Sequence, residues 1–366
     1  MSSSKPRYLQ IYDELKRKIQ DRSYEPGDLL PPESQLCATY GTSRPTVAKA
    51  IARLCEEKRV TRRAGFGTLV LESPTKAFKV GLLLPQLKQT EIFEPICASI
   101  AATAVEDEVR IVRPLELGSD QDPKLLAEVL TERFIAMQVN GVFFTPVEHV
   151  EDQERFNLGI IERLQAAGIQ VVLLDRDVYP WPRQTPFDLI GIDNIEAGYI
   201  MAGHLIANGC ERLAFVAEAN PAATVQLRGI GAREAMLQNG FSPRSLQNVI
   251  FDPARPELAM EQLRSQKATG VVCANDVTAA ALLRTMIDSG VRVPEEVQVC
   301  GFDDVQYASL LSVPLTSYRQ PCADIGRVAM KTMVVRIQKP YVPAKRITLR
   351  GSLVARRSTV GREAAG

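Results

Sequence analysis

At several places in this chain a short apolar run ends in a polar group: Thr145, Asp175-Arg176, Asp193-Asn194, Asn275-Asp276, Asp303-Asp304 and Gln320. Side chains of these types, gathered where strands end, suit a polyhydroxylated ligand. Vicinal hydroxyls both donate and accept, so they satisfy Asp and Arg together, and a ring such as Phe93 can cover the apolar face of a sugar. A second group suits another partner. Over residues 42–54, Val47, Ala50, Ile51 and Leu54 recur at helical spacing, with Arg44, Thr46, Ala48, Lys49 and Arg53 on the opposite side. Ser43 is placed to cap this helix with its hydroxyl, and Pro45 falls in the first turn, where a missing amide hydrogen costs little. A helix that is apolar behind and cationic in front fits a DNA major groove, or is an ordinary amphipathic surface helix.

The whole chain narrows these readings. Its 366 residues imply two or three domains, and 45% hydrophobic with 24% charged is an ordinary globular composition. The net charge of +1 hides an asymmetry, because thirteen basic residues face nine acidic ones through residue 72. A basic head on a mildly acidic body is what a phosphate-binding module joined to something else shows. The N-terminus has no apolar run of the signal-peptide kind, and no apolar run reaches the length of a membrane span. The seven cysteines are scattered and never form a C-x-x-C pair. Free thiols in a reducing cytoplasm are therefore expected, with no metal site and no membrane partner.

In the head, Tyr8, Ile11, Tyr12, Leu15 and Ile19 follow helical spacing up to the turn signal Tyr24-Glu25-Pro26-Gly27. A second helix is expected near Glu33 to Tyr40, burying Leu36 and Cys37, and Gly41-Thr42 makes the tight turn into the third. Val60-Thr61-Arg62-Arg63 and Thr68-Leu69-Val70-Leu71 are β-prone runs joined by Ala64-Gly65-Phe66-Gly67, which reads as a two-stranded wing. Arg62 and Arg63 then meet phosphates or a minor groove, or are a solvated strand end. This pattern resembles the winged helix-turn-helix domain of the GntR family of bacterial regulators. The resemblance implies double-stranded operator DNA as partner, with contacts from the start of the second helix, the third helix and the wing tip. Arg44 matches one family arginine, whereas Ser34 and Ala48 stand where others are usual. Ser43, Thr46, Lys49, Arg53, Arg62, Arg63 and Gly65 complete the candidate DNA surface.

Glu72-Ser73-Pro74-Thr75-Lys76-Ala77 is polar and broken by proline, so the expected division is a DNA-binding domain at 1–72, a linker at 73–77 and a body at 78–366. From Phe78 onward, buried strands alternate with helices in two series on either side of residue 180. The expected fold class is thus α/β, an α+β head followed by two lobes with parallel sheets and a ligand cleft at the carboxyl ends of the strands. The lobes are expected at 78–178 plus 321–340, and at 188–318 plus 345–362. Some polar groups have local alternatives: Asp193 and Asn194 as helix caps, Asp276 as a cap that leaves Asn275 for ligand, and His204 as a satisfied structural histidine. Trp181 covers the cleft or packs beneath its loop.

Leu174-Asp175-Arg176, Gly191-Ile192-Asp193-Asn194, Arg228-Gly229, Ala274-Asn275-Asp276 and Gly301-Phe302-Asp303-Asp304 look like the effector domain of LacI/GalR regulators, itself similar to periplasmic sugar-binding proteins. The resemblance implies ligand contacts at Phe93, Asp175, Arg176, Arg228, Asn275, Asp303 and Gln320, with Thr145 added from its place after a strand. The Asp-Arg pair resembles ribose-binding members and implies a pentose or similar monosaccharide, although Pro253-Ala254-Arg255-Pro256 lacks the aromatic residue many relatives carry. The arrangement of the two domains is similar to the AraR arabinose repressors. A sugar-responsive repressor acting as a homodimer is the expectation, with no cofactor. The alternative is an enzyme modifying a sugar or nucleotide. It lacks a G-x-G-x-x-G or G-x-x-x-x-G-K-[ST] loop and has only two histidines to work with.

Overall fold

The computed structural model describes residues 6–21, 23–63, 65–71, 78–86, 91–112, 122–219 and 221–359, and the linker expected at 73–77 lies outside them. The chain divides into two units, Met1–Ala77 and Phe78–Gly366.

The first unit runs α1 (Arg7–Gln20), α2 (Glu33–Tyr40), α3 (Arg44–Glu56), β1 (Val60–Arg63) and β2 (Gly67–Val70). Val47, Ala50, Ile51 and Leu54 of α3 are fully buried in a cluster with Ile11, Leu15 and Leu36. Burial of each large side chain contributes about 1.5–3 kcal/mol, so the apolar stripe sets how α3 docks. Gly41 ends α2 at φ 57, a left-handed turn that glycine adopts without strain. β1 and β2 pair antiparallel, with Val60 opposite Val70 and Arg63 opposite Gly67. The segment before α2 adds to this wing, since Leu30 N–H donates to the Thr68 carbonyl at 2.9 Å and Val70 N–H to that of Asp28 at 2.8 Å. Ser43 is the N-cap of α3 by position only. Its hydroxyl lies 2.9 Å from Thr46 Oγ1, and no backbone amide donates to it.

The second unit contains β3 (Lys79–Leu83), α4 (Phe93–Glu106), β4 (Arg110–Val112), α5 (Pro123–Ala136), β5 (Gly141–Phe144), α6 (Gln153–Ala166) and β6 (Gln170–Leu174). It continues with β7 (Asp188–Ile192), α7 (Asn194–Ala207), β8 (Leu213–Ala217), α8 (Ala223–Gln238), β9 (Leu246–Ile250), α9 (Pro256–Ser265) and β10 (Gly270–Cys273). The last elements are α10 (Asp276–Asp288), β11 (Gln298–Asp303), β12 (Thr316–Arg319), α11 (Cys322–Gln338), β13 (Arg346–Leu349) and β14 (Ser352–Val354). Two six-stranded sheets result, ordered β13-β7-β6-β5-β3-β4 and β14-β12-β11-β10-β8-β9. Neighbouring strands run parallel except β12 and β14. The chain passes between lobes at Asp193, at Gln320-Pro321 and at Arg350-Gly351.

Two segments expected in the second lobe belong to the first. β7, expected to open the lobe at 188, pairs with β6, and β13, expected within 345–362, pairs with β7. The cause is a buried ion pair. Arg336 of α11 grips Asp188 in bidentate fashion at 2.8 and 3.1 Å, and the same carboxylate accepts Lys345 N–H at 2.7 Å. A buried charge must be paired, so Asp188 holds both strands beside α11.

Candidate functional site

In the first unit, Arg44 opens α3 with its side chain 80% exposed, and its Nε donates to Glu33 Oε2 at 3.2 Å. Arg62 of β1 donates to the other oxygen of Glu33 at 2.8 Å. One carboxylate at the start of α2 therefore ties the first residue of α3 to the wing. Thr46 and exposed Ser34 lie in the first turns of the same two helices, and Arg63 is exposed on the wing. Gly65 sits at the tip at φ 78. Lys49 and Arg53 behave differently from Arg44. Their charges stack over the α1 rings of Tyr8 and Tyr12, at 4.2 and 4.8 Å from the centroids, so they line the α1 side of α3. Phe66, at the wing tip and 76% exposed, was not singled out from the sequence.

In the second unit a cleft of about 430 Å³ opens between the lobes. Asp175, Arg176, Gln86, Glu148 and His149 line it from the first lobe, and Thr224, Arg228, Asn275, Asp303 and Glu218 from the second. Asp175 and Asp303 have φ of 69 and 103, a left-handed region that side-chain-bearing residues rarely adopt. Strain of this kind concentrates at ligand sites, and here both residues stand where strands run out. Gly198 of α7 and Gly231 of α8 let those helices meet backbone to backbone. A Cβ on either would lie 1.9 Å from a carbonyl oxygen of the other helix. That close approach aims Arg228, whose Nε donates to Asn194 Oδ1 at 2.9 Å and Nη1 to the Ala274 carbonyl at 2.7 Å. Its Nη2 stands 3.7 Å from Asp303 Oδ1, and its plane covers the Phe302 ring at 4.6 Å.

On the facing side Arg176 Nε donates to Asp175 Oδ2 at 3.0 Å, and its Nη1 donates to Glu148. Burial pushes the carboxyls of Glu148 and Asp303 up, against the pull of Arg176 and Arg228 respectively.

Five of the eight residues expected to contact ligand line the cleft: Asp175, Arg176, Arg228, Asn275 and Asp303. The other three stand behind it. Phe93 is 1% exposed with the Arg176 guanidinium 5.8 Å from its ring, so it supports that arginine and its face is not open for stacking. Gln320 donates to Asp303 Oδ1 at 2.8 Å and orients that carboxylate from beneath. Thr145 is buried and does not line the cleft, because the chain continues past β5 to Glu148 before it reaches the opening.

The cap of α10 falls differently from the expectation, whereas that of α7 agrees with it. Asn275, not Asp276, caps α10 by accepting Thr278 N–H at 2.8 Å, while buried Asp276 accepts Ser317 Oγ–H at 2.7 Å and Val305 N–H at 3.1 Å. Burial, with Asp303 nearby, pushes the Asp276 carboxyl up to about 8. Asp193 caps α7, accepting Ile195 and Glu196 N–H at 3.0 Å each. His204 Nε2 lies 2.8 Å from Thr359 Oγ1. Trp181 is 58% exposed and lines an adjoining hollow of about 220 Å³ that shares Asp175, Arg176 and Thr224 with the cleft. Glu148 and Gln86 escaped the sequence reading, since neither directly ends a strand.

Comparison with known proteins agrees with both halves. Residues 7–70 match the gntR family of bacterial regulatory proteins, and residues 202–359 match a periplasmic binding protein-like domain. The chain is 24% identical to an arabinose metabolism transcriptional repressor of Geobacillus stearothermophilus, covering 97% of this chain and 98% of that protein. It is 26% identical to the regulator MalR of Streptomyces coelicolor, over 89% of this chain and 96% of that one. The solved complex of the transcriptional regulator CelR with cellobiose superposes with a TM-score of 0.64 at 24% identity, covering 90% of this chain and 100% of that one. The chain is thus a GntR-type helix-turn-helix domain over residues 7–70, joined to a body whose residues 202–359 match a periplasmic-binding-protein-like domain.

Proposed function

We propose that this chain is a transcriptional repressor whose grip on operator DNA is controlled by an uncharged monosaccharide, a pentose or one of similar size, bound between the lobes of residues 78–366. The observation that carries the reading is the pair of carboxylate–guanidinium couples, Asp175 with Arg176 and Arg228 with Asp303, set on opposite lobes of one cleft. Each couple offers a donor and an acceptor side by side, which is what neighbouring hydroxyls require. Both guanidiniums already face carboxylates, and Glu148 and Glu218 add further acidic groups, so a sugar acid or phosphate ester meets repulsion. The names of the relatives make L-arabinose a first candidate, and the bound sugars of the solved neighbours extend the trial to cellobiose and ribose.

Control requires only that sugar bind one lobe angle better than another. A coupling of about 1–3 kcal/mol changes operator affinity roughly 5- to 150-fold. Two copies are needed to span a palindromic operator. Ile287, 38% exposed, lines a groove along α10 with Leu311 and Val313, which supplies apolar surface for pairing with a second copy. The cleft works by binding without turnover, in the cytoplasm.

The test is thermal melting of the full chain with L-arabinose, D-ribose, D-xylose, D-galactose and cellobiose. It is followed by duplex binding on an operator selected from random sequence. A true effector present at 100 times its Kd stabilises by about 2.7 kcal/mol. It also shifts duplex affinity and is recovered unchanged. Consumption of the sugar, or melting shifts with sugar phosphates alone, overturns the reading.

A further inference from the structure

Glu148 belongs to the first lobe but is bonded to both. Its backbone is held in place by Gln86, which donates Nε2–H to the Glu148 carbonyl at 3.0 Å and accepts Glu148 N–H at Oε1, also at 3.0 Å. From that fixed base the buried carboxylate receives Arg176 Nη1 on one oxygen and the Ala223 backbone N–H, 3.0 Å away, on the other. Ala223 is the first residue of α8, the helix of the second lobe that carries Arg228 one and a half turns on. A helix start leaves its first amides unpaired, and Ala222, the cap residue of α8, has no side chain able to accept them. The carboxylate of the opposite lobe takes that role. A negative group there is favoured by the helix dipole, and the charge-assisted hydrogen bond is of the stronger kind.

We propose that Glu148 is the positioning residue that ties the two lobes together: by capping α8 from the first lobe it sets the lobe angle, and through α8 the placing of Arg228. As regulation of the cleft this rests on the effector reading, but the tie itself does not. A ligand hydroxyl that engages Arg176 draws on the same guanidinium that steadies Glu148. Occupancy of the cleft is thereby felt at the start of α8.

Hydrogen exchange on the full chain, read by mass spectrometry without sugar, tests the tie directly. In Glu148→Ala the amides of the first turn of α8 should exchange about tenfold faster, while β3 and β5 keep the parent protection. The isosteric Glu148→Gln retains an accepting oxygen and loses the charge, so the same amides should speed up by a smaller factor, about threefold. If the alanine variant loses protection throughout, the glutamine variant decides. Unchanged protection of residues 223–226 in both variants, or in the glutamine variant alone where alanine unfolds the chain, overturns the proposal. The same measurement with L-arabinose, D-ribose and cellobiose separates the two claims. If none of these sugars alters exchange in the cleft, the effector reading fails, while the tie stands on the comparison made without sugar.

Discussion

Arg44, the first residue of α3, is bonded to Glu33, the first residue of α2, Nε to Oε2 at 3.2 Å, although the arginine is 80% exposed. An exposed pair of this type adds little stability, so its effect is to hold the arginine at the mouth of the helix. Arg44→Ala should weaken binding to the selected operator by about 1–3 kcal/mol, the size of a bidentate base contact, and relax preference at one base position. Electrophoretic mobility shift with operator and scrambled duplexes checks this. An equal loss on both duplexes would make Arg44 a phosphate contact.

Asp303 is the buried partner of Arg228, so the substitution chosen there matters. Asp303→Ala leaves a buried guanidinium uncompensated and should cost about 3–5 kcal/mol in urea unfolding. Asp303→Asn keeps an acceptor near Arg228. It should lose the sugar-induced shift in duplex affinity while leaving affinity without sugar within about twofold, since no DNA contact is touched. Parallel loss of both activities in Asp303→Asn would remove Asp303 from the effector site.

The close crossing of α7 and α8 gives a steric prediction. Gly231→Ala sets a Cβ 1.9 Å from the Ile195 carbonyl oxygen, and backbone cannot swing aside as a side-chain end can. Overpacking there should cost about 1–3 kcal/mol or more and lower the melting temperature. Gly203→Ala, on the same helix as Gly198 but with open space around it, should leave the melting temperature unchanged or raise it.

Asp276 carries a pH prediction. Its carboxyl titrates near 8 in the folded chain because burial disfavours the anion, against the ordinary value near 3.8. The folded state therefore holds a proton that the unfolded state has released. The stability linked to that proton is fully present below about 4 and is lost as pH rises to about 8, with a slope of at most about 1.4 kcal/mol per pH unit. Urea unfolding at steps from pH 5.5 to 8 should show this fall, and Asp276→Asn should flatten it. A slope of the same size in the variant would assign the titration elsewhere.

Much of this molecule was legible in the chain. The α3 stripe of Val47, Ala50, Ile51 and Leu54, the wing runs and the alternating strands all follow from local periodicity, which burial then obeys. Asp175 and Asp303 could be placed because a parallel strand ends at its binding edge. Glu148 was not legible, because it lies in the loop beyond β5 and acquires its role only when Ala223 of the other lobe arrives beside it. Lys49 and Arg53 share the cationic side of α3 with Arg44 in the sequence, yet stack on Tyr8 and Tyr12 once α1 packs alongside.

The amino-acid sequence by itself determined which elements form and which residue types gather at the strand ends. These depend on neighbours three or four positions away and on the alternation of strand with helix. Tertiary structure alone decided that β7 and β13 return to the first lobe, that Phe93 and Gln320 work from behind the cleft, and that Glu148 spans it. The return of the strands and the Glu148 bridge each come from a buried charge finding its partner from a distant part of the chain, as Asp188 does with Arg336 148 residues on. Such a pairing leaves no periodic trace in the sequence, because it is selected by the cost of burying a lone ion.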